Sequence, residues 1–222
     1  MKDKSRKNWL SWLWFLLLIP SVVLNIFLYQ KSQKKEGGIS VIGILDGDTL
    51  VLEGKVRLRL RQVDAPELDF CGGKEAKELL KTLTEDKRVL VREEILDQRG
   101  RPMALIYVGE TLVNLEMLKG GWVRYHADQT SKKGVLREAF EKAKTEGKGI
   151  FSPLCYQKEN PQNPNCRIKG NIDKNSGLKK YYFPGCAQYE FTIIEKDLGE
   201  SWFCREEEAG KAGFNRAETC PK

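Results

Sequence analysis

Residues Val56 to Arg61 read Val-Arg-Leu-Arg-Leu-Arg, an alternation of aliphatic and basic side chains with a period of two. Only an extended strand sorts such a pattern onto two faces. The segment therefore predicts a strand with Val56, Leu58 and Leu60 on a core face and Arg57, Arg59 and Arg61 on the other. A strand with one apolar face needs neighbours. Val41–Leu45 and Thr49–Leu52 supply them, on either side of Asp46-Gly47, a preferred hairpin dipeptide. Glu53-Gly54 makes a second turn, and Pro66 in "VDAPE" ends regular pairing.

Strand character returns at Val89–Val91 and Met103–Val108, around the turn "DQRGR", where Gly100 supplies a positive φ. Ala76, Leu79, Leu80 and Leu83 recur at helical spacing. A second helix over Leu112–Leu118 stops at Gly120-Gly121, and a third carries Leu136, Ala139, Phe140 and Ala143 and ends near Gly147. Five strands in hairpin-like succession with three helices, and no repeated βαβ unit, predict a small barrel with packed helices rather than a doubly wound sheet.

From Trp9 to Tyr29 no side chain is charged. At ~1.5 Å per residue this stretch reaches across a hydrocarbon core of about 30 Å. Trp9, Trp12 and Trp14 lie near one end and Tyr29 at the other, as interfacial rings do. No alanine precedes Ala65, so an Ala-x-Ala cleavage site is absent. The expectation is an uncleaved signal anchor: a single-pass protein of the cell membrane, with a short basic tail inside and the body on the extracytoplasmic side. Secretion after cleavage is the alternative. Lys31, Lys34 and Lys35 follow the span and weaken the charge asymmetry that sets orientation.

The six cysteines fit that placement, five of them after residue 150. Outside the cytosol an even set is expected to form disulfides, and six allow 15 connectivities. The net charge of +7 suits a polyanion or an anionic membrane surface. The organisation expected is a basic tail (1–8), a span (9–29), a linker (30–38), a barrel domain (39–151), a Pro/Asn/Gln-rich linker (152–171) and a small Cys-rich α/β module (172–222). In that module Tyr181–Phe183, Tyr189–Glu195 and "SWFC" read as strands, and "REEEAGKAGF" as a short helix closed by Gly213.

Three short clusters could carry chemistry: "DGDT", "RLRQVDAPE" and "DQRGR". Phosphodiester hydrolysis needs a hard cation held by oxygen ligands, a base for the attacking water, and fixed positive groups for the charge that builds on phosphorus. Asp48 and Asp64 could hold the metal, Glu67 could be the base, and Arg59 and Arg101 the clamp. Taken singly, each has a plainer reading. Asp46-Gly47 makes a turn, alternating arginines make a solvated face, and "DAPE" makes a loop.

In combination and order, "VIGILDGDTLVL", "VRLRLRQVDAPE", "DQRGRPMALIYV" and "LVNLEMLKGGW" resemble staphylococcal-nuclease-like (thermonuclease) domains over about Ile39–Phe151. The resemblance implies a five-stranded OB-fold barrel with three helices and a calcium-dependent nuclease acting on DNA and RNA to leave 3′-phosphates. By position it implies Asp48, Asp64 and the backbone carbonyl of Ala65 as Ca2+ ligands, Glu67 as general base, and Arg59 and Arg101 as phosphate ligands. Asp46, Thr49, Arg61, Arg99 and Tyr125 are supporting or substrate-contact candidates. Arg99 stands where the family often has tyrosine, and "WVRYHAD" replaces its later tyrosines, with Tyr125 and His126 as the candidate substitutes. A catalytically silent nucleic-acid- or protein-binding module of the same fold is the rival. It conflicts with retention of the whole acidic and arginine set. No protein partner is inferable. The C-terminal "YYFPGC…WFCREEEAGKAGF…C" resembles small Cys/His zinc domains of bacterial DNA-repair and DNA-uptake proteins. Tyr182 and Ala217 occupy two of the ligand positions, so ligand count favours disulfide staples over zinc.

Overall fold

The computed structural model describes residues 20–26 and 37–221. The chain divides into two units, Met1–Gly37 and Gly38–Lys222. Of the first, residues 20–26 are helical. The rest of the expected span 9–29, the tail 1–8 and nearly all of linker 30–38 lie outside the described residues. Among the described residues no helix is long and apolar enough to cross a membrane.

The second unit begins with β1 (Ile39–Ile44), β2 (Thr49–Leu52), β3 (Val56–Leu60) and β4 (Val63–Asp64). Next come α1 (Gly73–Thr84), β5 (Arg88–Leu96), β6 (Pro102–Val108), β7 (Thr111–Leu112), α2 (Val113–Gly120), β8 (Arg124–Tyr125) and α3 (Lys133–Thr145). The sheet order is β3-β2-β1-β5-β6-β7, and a parallel pairing of β3 with β6 closes five of these strands into a barrel. That is the OB-type architecture expected from the sequence. The aliphatic faces fill it: Leu50, Leu58, Leu60, Val89, Ala104, Leu105 and Ile106 are buried, with Leu80, Met117, Leu118 and Leu136 of the helices packed against them. Gly121 closes α2 at φ 74, a left-handed conformation that costs glycine little.

One strand reading needs correction. The three arginines do not share a solvated face. Gln62 takes φ 62 just past β3, and Arg61 is 7% exposed, covered by the segment carrying Asp128 and Gln129. Its guanidinium is met by a bulge in β5, where Glu93 sits at φ 50 and the register shifts between Arg92 and Ile95. The carbonyl of Glu93, freed from the ladder, accepts from Arg61 Nη1 at 2.8 Å.

The segment expected as a linker, 152–171, is structured. It carries β9 (Tyr156–Gln157) and most of β10 (Ile168–Ile172), and Cys155, Gln157, Cys166, Ile168 and Lys169 are buried. Beyond it lie β11 (Lys179–Tyr182), β12 (Ile194–Glu195), β13 (Ser201–Phe203), α4 (Glu206–Lys211) and β14 (Asn215–Arg216). Four strands form a sheet in the order β13-β10-β11-β14, over a core of Ile168, Tyr181, Ala209 and Phe214. So small a core needs staples. It has them in Cys166–Cys204 and Cys186–Cys220, while Cys71–Cys155 ties the loop before α1 to the segment leaving the barrel. No cysteine is left free for zinc.

The strand expected over Tyr189–Glu195 is instead a 3-10 turn (Tyr189–Phe191) followed by β12. The reason is Lys169. Its ammonium donates to the carbonyls of Tyr189 and Thr192 at 2.9 and 2.8 Å, which a strand would have offered to a neighbour.

Replacing Cys71 and Cys155 together with alanine should lower stability by ~2–5 kcal/mol, because the bridge closes a sequence separation of 84. Non-reducing denaturant unfolding reads this directly, and an unchanged midpoint would show that the bridge does not constrain the unfolded chain.

Candidate active site

The site begins between β1 and β2. Leu45 N–H donates to the Thr49 carbonyl at 3.0 Å, enclosing Asp46, Gly47 and Asp48 in a loop wider than a two-residue hairpin turn. Gly47 is not among the positive-φ glycines, so it is not there to make a type I′ turn. Its role is close approach: a Cβ would lie 2.5 Å from that of Ala76 and 2.7 Å from that of Ala65. Asp46 Oδ1 accepts from Asp48 N–H at 3.1 Å, a local side-chain turn that aims the next carboxylate inward.

That carboxylate, Asp48, is 2% exposed. Oδ1 accepts from the Thr49 hydroxyl at 2.9 Å, and Oδ2 accepts from Ala65 N–H and Arg59 Nη2, each at 2.8 Å. The Asp48 carbonyl accepts from Leu60 N–H at 2.7 Å, which fixes the loop to the end of β3. Burial pushes the Asp48 carboxyl up to about 7, against the opposing pull of the Arg59 guanidinium and the Ala65 N–H.

Asp64 is the exposed counterpart. It ends β4, which is held by antiparallel pairing with β8. The same Arg59 Nη2 that contacts Asp48 also bonds Asp64 Oδ1. Glu67 follows in the loop, exposed, and no side-chain hydrogen bond engages it among the described residues. The loop itself is fixed. The Glu67 carbonyl accepts from Phe70 N–H at 2.9 Å, and a Cβ on Gly73 would fall 2.1 Å from that oxygen, so only glycine lets α1 start so close.

Arg101 comes from the β5–β6 hairpin. Asp97 Oδ1 accepts from the N–H groups of Arg99 and Arg101, both at 2.8 Å, and Oδ2 accepts from Arg101 Nε at 2.7 Å. These bonds, the Arg101 N–H first among them, hold the Asp97 carboxyl below its usual range. Gly100 supplies the expected positive φ, at 74. Arg59 of β3 is level with Met103 of the parallel β6, so Arg101 sits two residues back on the strand beside Arg59. It does not touch Asp48 or Asp64; its side chain is half exposed and points along its own turn. Arg99 is exposed on that turn.

Two supporting candidates are placed elsewhere. Arg61 spends its fork on Asp128 through Nε, on the Glu93 carbonyl, and on the Gln129 carbonyl at 2.8 Å, so it is a buried brace. Tyr125 has its ring 6.2 Å from that of Phe140 and its hydroxyl accepting from Gln62 Nε2 at 3.1 Å, so it packs rather than reaches out. His126 is exposed beside it, its N–H donating to the Gln62 carbonyl at 3.2 Å. Sequence reasoning missed Asn114, which is buried. Its Oδ1 accepts from Ile106 N–H and its Nδ2 donates to the Arg61 and Ala104 carbonyls, locking β3 to β6. An asparagine inside the apolar run "LVNLEML" was the available signal.

The cluster suits a hard cation. Its donors are oxygens, two carboxylates converge on one nitrogen of Arg59, and that guanidinium stands where positive charge is wanted. Among the described residues no group of three or more His, Cys, Asp or Glu side chains converges. A calcium ion here would therefore depend on backbone, water and substrate oxygens for most of its shell.

Sequence comparison agrees with this geometry. The family described as staphylococcal nuclease homologues matches residues 57–153. An uncharacterized endonuclease of Haemophilus influenzae is 29% identical over 140 residues, 61% of this chain and 78% of that protein. A micrococcal nuclease of Shigella flexneri is 32% identical over 127 residues, 50% of this chain and 72% of that protein. A probable staphylococcal-like nuclease of Oryza sativa is 31% identical over 133 residues, covering 60% of this chain but only 33% of that longer protein.

Gly47→Ala should cost ~1–3 kcal/mol, since the added methyl must displace Ala65 or Ala76 backbone. Equilibrium unfolding checks it. Stability equal to wild type would mean that the loop relaxes freely and does not fix Asp48.

Proposed function

The chain belongs to the staphylococcal nuclease homologues, and from that membership and the acid–arginine cluster we propose a calcium-dependent phosphodiesterase that hydrolyses DNA, and RNA, to 3′-phosphate products. The observation that carries the reading is the single nitrogen of Arg59 shared by Asp48 and Asp64. Two carboxylates held on one cation share a point in space where another cation can be exchanged for it.

Asp48, Asp64 and the Ala65 carbonyl would hold Ca2+, which supplies neutralisation of the phosphate oxygens and polarisation of phosphorus. The chain's own groups do the rest. Arg59, released from the carboxylates, and Arg101, turned from Asp97, grip the phosphate and meet the charge that builds on it. Glu67, exposed and with no side-chain partner among the described residues, accepts the proton of the attacking water. The bond from phosphorus to the 5′-oxygen breaks as the water's oxygen bonds to phosphorus, and the departing oxygen takes a proton from solvent, leaving a 3′-phosphate and a 5′-hydroxyl. Asp46 and Thr49 support the loop that carries Asp48.

The location proposed is the outer side of the membrane, with residues 9–29 as anchor. It is supported by the uncharged span in the sequence and by three disulfides that consume every cysteine, a pattern of oxidising compartments.

The test follows DNA cleavage by residues 38–222 with calcium, with magnesium and with chelator. Chelator should abolish cleavage. Glu67→Gln should reduce it by roughly 10²–10⁴-fold and Arg101→Ala by about 10²–10³-fold. Variants as active as wild type would sink the mechanism. A folded protein that binds DNA in calcium and never cleaves it would establish the silent binding module instead.

A further inference from the structure

Between the barrel and the C-terminal module runs a cleft of about 450 Å3. Its barrel wall carries Arg124 and Lys144, and its module wall carries Lys174, Tyr156, Tyr182 and Phe191. Phe191 is 84% exposed, the most exposed large apolar side chain described. It sits on the 3-10 turn that Lys169 holds out of the sheet, so the fold spends a buried ammonium on presenting it. Glu195, the acid on the wall, is neutralised by Arg124 at 2.9 Å and Lys174 at 2.5 Å, while Lys144 faces no acid recorded within ion-pair distance among the described residues. With Arg124 and Lys174 balanced by Glu195 and Asp197, Lys144 is the cation left beside the aromatic side chains of the cleft.

The cleft is linked to the site through one strand pair, β4 with β8. Arg124 is the direct antiparallel partner of Asp64, and such partners point to the same face with Cβ atoms about 5 Å apart. From that pair Asp64 bonds Arg59, and Arg124, on the wall of the cleft, is held by Asp197 and Glu195.

We propose that this cleft binds a single unpaired strand of the nucleic-acid substrate: Phe191 is the platform for a base and Lys144 contacts the backbone, so the C-terminal module is half of the substrate groove. The proposal rests on the nuclease reading for the identity of the polyanion. A duplex hides its base faces, whereas an unpaired base has one to offer, and aromatic platforms beside cations are how single strands are held without sequence preference. The cleft is of a volume that takes a base and its sugar.

The test uses the full-length chain in detergent and a fluorescent oligo-thymidylate, with anisotropy read in chelator so that nothing is cleaved. The Phe191→Ala, Lys144→Ala double variant should bind about tenfold more weakly. Loss of Lys144 alone should lower the slope of log affinity against log salt by about 0.7. Phe191→Trp should retain affinity, which separates stacking from damage to the fold. Unchanged affinity in the double variant, or loss of affinity in Phe191→Trp equal to that of Phe191→Ala, would overturn the groove. Binding that follows this pattern in a wild type that fails to cleave in calcium would support the groove while sinking the nuclease reading.

Discussion

A carboxylate that is 2% exposed must be surrounded by donors, and at Asp48 that requirement organises the mouth of the barrel. The Thr49 hydroxyl, the Ala65 N–H and the Arg59 guanidinium each come from a different stretch of chain, and all three are drawn to it. Gly47 lets the loop carrying it lie against Ala65 and Ala76. Burial still pushes the carboxyl up to about 7, against the pull of the Arg59 guanidinium and the Ala65 N–H.

The same logic repeats where barrel and module meet. Arg124 is bound by Asp197 and Glu195, and one oxygen of Asp197 is left buried without a partner. Glu200 lies buried nearby, accepting from the N–H groups of Ile172 and Glu195 and from Asn171. Burial raises the carboxyls of Asp197 and Glu200. Concentrating this much charge at a seam is costly when a hydrophobic contact would serve. The seam therefore fixes a geometry, and what it fixes is the strand beside Asp64.

Much of the barrel was legible because its physics is local. The alternation at Val56–Leu60, the helical spacing of Ala76 and Leu80 and the glycine after α2 each state their conformation within a few residues. The convergence of Asp48, Asp64 and Arg59 was visible only through resemblance, since strand closure brings them together and no spacing encodes it. Arg61 was misplaced because what covers it, the Glu93 bulge and the segment carrying Asp128 and Gln129, lies far away in sequence. The strand expected at Tyr189 failed for a distant reason, the ammonium of Lys169. Disulfide pairing was invisible for the same cause, and Pro and Asn in 152–171 masked strands that pair across the module.

The arrangement stands or falls on whether Arg59 gives up its carboxylates to a metal. A crystal structure of residues 38–222 grown with calcium and a non-hydrolysable nucleotide would show it. The expected density is one ion with oxygen ligands from Asp48, Asp64 and Ala65 at about 2.3–2.6 Å, with Arg59 moved onto the phosphate. An ion bound elsewhere, with Arg59 still bridging Asp48 and Asp64, would contradict the assignment.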